Sequence, residues 1–165
     1  MKIRDIIKND LPTVLCLNEA AVPHVNSVSL ETIAWFAVHA TYFRVVSWDD
    51  TIVGFLVALT PDADYTSSNF LWFRDRYSSF VYIDRIVVAP SARRRGIARR
   101  LYEDVQTFAQ HVAPALTCEV NIRPRNDASV VFHREFGFKE VGQQITEGGN
   151  KTVSLLLKSL DVEAR

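Results

Sequence analysis

Phe80-Val81-Tyr82-Ile83-Asp84-Arg85-Ile86-Val87-Val88-Ala89-Pro90-Ser91-Ala92-Arg93-Arg94-Arg95-Gly96-Ile97-Ala98-Arg99-Arg100-Leu101-Tyr102-Glu103-Asp104-Val105 is the stretch on which the fold turns. Its first nine residues are mostly apolar and rich in β-branched types, which reads as a buried strand. From Ile97 the pattern is helical. Between the two lies a short basic turn with one glycine and a small residue at Ala98. A strand, a tight turn and a helix in that order can hold a pyrophosphate. The first amides of a helix lack intrahelical partners, and the helix dipole favours an anion there. Gly96 and Ala98 let the backbone approach a ligand, and Arg93, Arg94, Arg95 and Arg99 add positive charge. A solvated arginine turn or a weak nucleic-acid patch would use the same residues.

The surroundings narrow the choice. Arg93-x-x-Gly96-x-Ala98, after the strand end Val88-Ala89-Pro90, resembles the acyl-CoA-binding motif of the GNAT N-acetyltransferase superfamily, Gln/Arg-x-x-Gly-x-Gly/Ala. About thirty residues downstream, Asn126-Asp127-Ala128-Ser129-Val130-Val131-Phe132-His133-Arg134-Glu135-Phe136-Gly137-Phe138 is similar to that family's Asn-x-x-Ala/Ser-x-x-Phe/Leu-Tyr-x-x-x-Gly-Phe helix. The two motifs stand in family order. The resemblance covers nearly the whole chain, best from Phe80 to Val141. It implies an α/β (α+β) fold with a mixed, mostly antiparallel central sheet of about seven strands flanked by about four helices.

Bulk properties fit that expectation. The 165 residues suit one domain, read as an N-acetyltransferase domain over residues 1–160 and a tail at 161–165. Basic and acidic side chains number 19 each, so no global field draws the chain to nucleic acid or a membrane. Basic character is local, from Arg93 to Arg100, which suits a small polyanion better than a duplex. Cys16 and Cys118 sit in apolar segments without metal spacing and read as buried free thiols of a reducing compartment. His24, His39 and His111 show no metal spacing either, and no metal is expected. Lys2, Arg4 and Asp5 do not open a signal peptide, and no run approaches the ~20 apolar residues of a membrane span. The expected location is the cytoplasm.

Along the chain, Met1 to Ile7 opens as a strand. A helix follows, with Asp10 as its cap and Pro12 in its first turn, and is broken around Pro23 to Val28. Ser29 to His39 reads as a second helix. Tyr42 to Trp48 and Ile52 to Leu59 read as a hairpin about Asp49-Asp50-Thr51. Pro61 to Ser79, with Phe70-Leu71-Trp72-Phe73, is too irregular for an element and reads as a loop over an acceptor pocket or over the core edge. After the Phe80–Val88 strand come a helix over Ile97–His111, a strand over Leu116–Ile122 and a helix over Asp127–Phe136. Lys139–Glu147 and Lys151–Leu157 close as a strand pair. The order is β-αα-β-β-β-α-β-α-β-β.

Acetyl transfer from acetyl-CoA, the co-substrate the resemblance implies, has three needs: a held thioester, a neutral amine and a proton for the departing thiolate. Amides around Arg94 to Arg99, including Gly96, Ile97 and Ala98, would bind the pyrophosphate. By resemblance, the main chain of Ile86, Val87 and Val88 pairs with pantetheine, and an amide near Val87 or Val88 faces the thioester carbonyl. Asn126 and Ser129 are assigned to pantetheine or phosphate, with a helix cap as the alternative for Asn126. Only about one lysine-like amine in a thousand is neutral at pH 7, so a base is useful. Glu119 and Asp84 are the candidates. Strand alternation groups Glu119 with Asn121 and Arg123, and the alternative for Glu119 is a solvent-facing strand residue. The catalytic Glu that some family members carry on this strand falls at Asn121 here, a departure; for Asp84 the alternative is a salt bridge with Arg85 or another Arg. The family's general-acid Tyr falls at His133, a second departure. A His can donate a proton near neutral pH, contact the CoA sulfur, or simply pack at a helix surface. Tyr82 and Tyr102 are substitutes, Tyr102 reading better as core.

The expected function is N-acetylation of a primary amine by direct attack in a ternary complex. A small-molecule acceptor is favoured over a protein, and a homodimer is left open. A non-catalytic acyl-CoA-binding or sensing module is the alternative, and an arginine-rich nucleic-acid binder is a third reading.

Overall fold

The computed structural model describes residues 1–161, so all but the first residue of the expected tail at 161–165 lies outside the described residues. Seven strands form one sheet in the order β1-β2-β3-β4-β5-β7-β6. They are β1 (Lys2–Asp5), β2 (Tyr42–Trp48), β3 (Thr51–Leu59), β4 (Val81–Val88), β5 (Ala115–Arg123), β6 (Lys139–Thr146) and β7 (Lys151–Ser159). The pairs β1–β2, β2–β3, β5–β7 and β6–β7 are antiparallel, and β4–β5 is parallel. The sheet is mixed. Five α-helices accompany it, one more than the sequence suggests: α1 (Leu11–Ala20), α2 (Leu30–His39), α3 (Ser68–Arg74), α4 (Ile97–Ala109) and α5 (Asp127–Phe136). The described chain divides into two compact units, Met1–Ala63 with Ile83–Thr107, and Asp64–Tyr82 with Phe108 onward.

In the first unit, Ser29 caps α2 by accepting the Thr32 N–H. Asp49 and Asp50 both take positive φ, 48° and 61°, the hand that a two-residue hairpin turn needs. Asp10 does not cap α1 as expected. Its carboxylate accepts two hydrogen bonds from Arg4 and one from the Ile7 N–H, and the Arg4 guanidinium in particular holds its pKa below the usual carboxylate range. The core gathers Val14, Ile33, Phe36, Val45, Phe55 and Leu56, all fully buried. A Cβ on Gly54 would lie 2.7 Å from the Val87 carbonyl oxygen, so glycine there permits the end of β4 to approach β3. Cys16 is exposed, a correction to the expected buried thiol. It lies between Val14 and Asn18, the residues α1 does bury, and so on the other side of that helix.

In the second unit, the segment read as a loop carries α3. Phe70 and Phe73 are fully buried and pack on Phe80 and Tyr82, with ring centroids 5.5–6.1 Å apart. Trp72 lies on Gly142, where a Cβ would sit 2.5 Å from its ring, and Gln144 donates to Asn69. This α3 therefore belongs to the core of its unit. Asn126 caps α5 by accepting the Ser129 N–H, and Gly137 ends it at φ 102°, the left-handed stop that favours glycine. The burial of Cys118 pushes its thiol pKa well up.

Candidate active site

The turn after β4 is built from its backbone outward. Pro90–Ala92 make a single 3-10 turn, and the Ala89 N–H donates to the Val53 carbonyl at 2.7 Å. Arg94 and Gly96 then take φ of 61° and 74°. The second is at home on glycine, while the first is uncommon for a side chain as large as arginine. The Arg100 N–H is bonded to the Gly96 carbonyl at 3.1 Å, which leaves the amides of Ile97 and Ala98 ahead of it without an intrahelical acceptor. A Cβ built on Gly96 meets nothing within 4 Å. The space beside the Gly96 Cα is open. Arg93, Arg94, Arg95 and Arg99 are exposed around it. Val87 is buried, Ile86 and Val88 are half-buried, and β4 pairs with β5 at Val81↔Leu116 and Tyr82↔Thr117.

Asp84 belongs to the same unit as this turn. Its carboxylate is 2.8 Å from Arg85 Nε, and the side chains of the pair are only 4% and 7% exposed. Arg85 also donates to the Asn18 side chain at 2.8 Å and lies over the Phe36 ring. Asp84 is thus the buried counter-ion of a buried guanidinium.

Glu119, Asn126, Ser129 and His133 belong to the second unit. The Tyr82 hydroxyl donates to Glu119 Oε2 at 2.8 Å, with both Phe70 and Phe73 beside the Tyr82 ring. Arg123 leaves the face expected for it. A bulge between Asn121 and Arg123 shifts the register, so Asn121 pairs with Val153 but Arg123 with Thr152, which breaks the alternation. His133 is buried between Phe132 and Phe138. Its Nδ1–H donates to the Ser129 carbonyl at 2.7 Å, and because a carbonyl can only accept, Nδ1 carries the proton. Burial lowers its pKa despite that bond. Its ring is neutral near pH 7, with the single proton committed to the backbone. Tyr102 is buried on α4 as core.

Residues 10–138 match the sequence profile of the Acetyltransferase (GNAT) family. The chain is a GNAT acetyltransferase. No curated protein sequence matches it, whereas solved structures do. The ribosomal-protein-S18-alanine N-acetyltransferase of Escherichia coli is 17% identical, with a TM-score of 0.75 over 99% of this chain and 96% of that one. Naa20 of Chaetomium thermophilum, solved with a bisubstrate analogue, is 20% identical, with a TM-score of 0.76 over 98% and 89%. The yncA protein of Salmonella typhimurium, solved with its cofactor acetyl-CoA, is 19% identical, with a TM-score of 0.73 over 100% and 96%. At these identities the likeness is one of fold.

As a GNAT enzyme the chain is an acyltransferase. Two features escape sequence reading. One is α3, whose only signal is the Phe70/Phe73 spacing. The other is Trp48, which lies under Arg95 and which nothing local in its strand marks. Among the described residues no three His, Cys, Asp or Glu side chains gather as a metal-ligand set, and no helix is long and apolar enough to cross a membrane.

Proposed function

We propose that this GNAT enzyme moves an acetyl group from acetyl-CoA to a primary amine, which attacks the thioester directly in a ternary complex. The observation that carries the reading is the open space at Gly96, beside the Ile97 and Ala98 amides that have no intrahelical acceptor and the exposed arginines of the turn. An incoming diphosphate would meet amide donors, a helix dipole and guanidinium groups together, each contributing on the order of 1 kcal/mol. The main chain of Ile86, Val87 and Val88 would pair with pantetheine. In the transfer step the amine nitrogen bonds to the acetyl carbon. The carbon–sulfur bond then breaks, and the electron pair leaves with the CoA thiolate.

Glu119 is the base this reading favours. Its carboxylate accepts a hydrogen bond from the neutral Tyr82 hydroxyl, whereas that of Asp84 is ion-paired with the buried Arg85. Glu119 would take the proton the amine loses, directly or through water. His133 then serves as a hydrogen-bond partner of the pantetheine end rather than as the acid, because its one proton is held by Ser129. The thiolate is protonated by solvent.

The test is release of free thiol from acetyl-CoA across a panel of amino acids, polyamines, arylalkylamines and peptide N-termini. Turnover on one class, cut at least a hundredfold by Glu119→Gln, is the expected result. CoA binding with silence across the whole panel would instead favour an acyl-CoA sensor.

A further inference from the structure

The three arginines of the turn are held differently. Arg93 folds back, its Nε donating to the Val88 carbonyl at 3.4 Å. Arg94 is exposed at φ 61° and makes no hydrogen bond or ion pair among the described residues. Arg95 lies over Trp48, its guanidinium carbon 5.2 Å from the ring centroid. Trp48 is fixed in turn as the last residue of β2, paired with Thr51 across the Asp49-Asp50 hairpin. Asp49 and Asp50 are next to it in the chain, yet neither forms an ion pair with Arg95 among the described residues. The arginine takes the ring and leaves the carboxylates.

That choice has a chemical consequence. Stacking uses the face of a guanidinium, whereas all its N–H donors point outward in the plane. Arg95, held over the ring and making no hydrogen bond or ion pair among the described residues, keeps its N–H donors for an anion, and it binds that anion with less side-chain freedom to lose. We infer that Trp48 is a positioning residue for acetyl-CoA: it holds Arg95 so that the guanidinium edge meets the diphosphate at the start of α4. The inference rests on the reading of the Gly96 turn as the diphosphate site. Arg94, with no such support, acts as an independent charge.

CoA affinity measured by calorimetry for six forms of the full chain tests the assignment: wild type, Trp48→Ala, Arg95→Ala, Arg94→Ala, and the Trp48/Arg95 and Trp48/Arg94 doubles. Each single change is expected to weaken CoA about fivefold. The Trp48/Arg95 double should be no more than about twofold weaker than Arg95→Ala alone, because the two act as one device. Trp48 and Arg94 should multiply, to about 25-fold. Trp48→Phe should recover most of the loss. Pantetheine, which lacks the diphosphate, should compete equally well with wild type and Trp48→Ala. Multiplicative loss in the Trp48/Arg95 double, or equal weakening of pantetheine, would overturn the inference. Should Trp48→Ala not fold, Arg95→Lys at its exposed position keeps the charge and removes the planar stack. Wild-type affinity in Arg95→Lys would also overturn it. A wild-type protein that binds no CoA removes the diphosphate reading and this inference together. Wild-type binding with an unaffected Trp48→Ala removes this inference alone.

Discussion

At Gly96 the backbone runs at φ 74° and the space a side chain would fill is empty. Two substitutions separate the consequences. Gly96→Ala carries the left-handed strain of about 1–2 kcal/mol with little bulk, whereas Gly96→Glu adds bulk and a negative charge where a diphosphate would sit. His133 makes a second prediction at this scale. Burial pushes its pKa below the usual ~6.5, so the unfolded chain takes up that proton more readily than the fold does. The stability due to neutral His133 is complete above about pH 6.5 and is lost as pH falls from there through the folded-state pKa. The melting temperature of wild type should therefore drop more steeply than that of His133→Gln between about pH 7 and 5. Parallel slopes would contradict the buried neutral imidazole.

The elements differ in how far their sequence announces them. In α5 both ends are signalled, by the Asn126 cap and the Gly137 stop, and its range is the one the sequence suggests. The hairpin turn at Asp49-Asp50 is equally local. In α3 only seven residues are helical, too few for a periodic signal, and its order comes from tertiary packing of Phe70 and Phe73 on Phe80 and Tyr82. Phe73→Ala should cost about 3–5 kcal/mol, a fall in melting temperature of roughly 10 °C. A near-silent result would return this segment to the status of a loop. Asn126→Ala should cost about 1 kcal/mol through loss of the cap. The site follows the same division. The shape of the Arg93–Ala98 turn is legible because strand, glycine and helix are contiguous. The Asp84–Arg85 pair is offered by adjacency, but the Arg85–Asn18 bond, the Tyr82–Glu119 bond and the Arg95–Trp48 contact join residues that strand alternation alone cannot align, and the bulge that displaces Arg123 leaves no mark in the sequence.

On the scale of the whole molecule, the anion-binding turn lies in one unit, and Glu119 and the α5 residues lie in the other. Equal numbers of basic and acidic side chains leave the local arginine cluster as the feature that would select a polyanionic co-substrate. Binding to the folded chain alone must then raise its stability, by about 2.7 kcal/mol at a hundredfold excess of ligand over Kd. For a chain of this size that is a rise in melting temperature of roughly 5–10 °C. The most direct measurement is thermal unfolding with increasing CoA for wild type, Gly96→Ala and Gly96→Glu. A saturable rise for wild type that Gly96→Ala largely keeps and Gly96→Glu loses is the predicted result. No rise for wild type, or an equal rise with glutamate in place, would contradict the account.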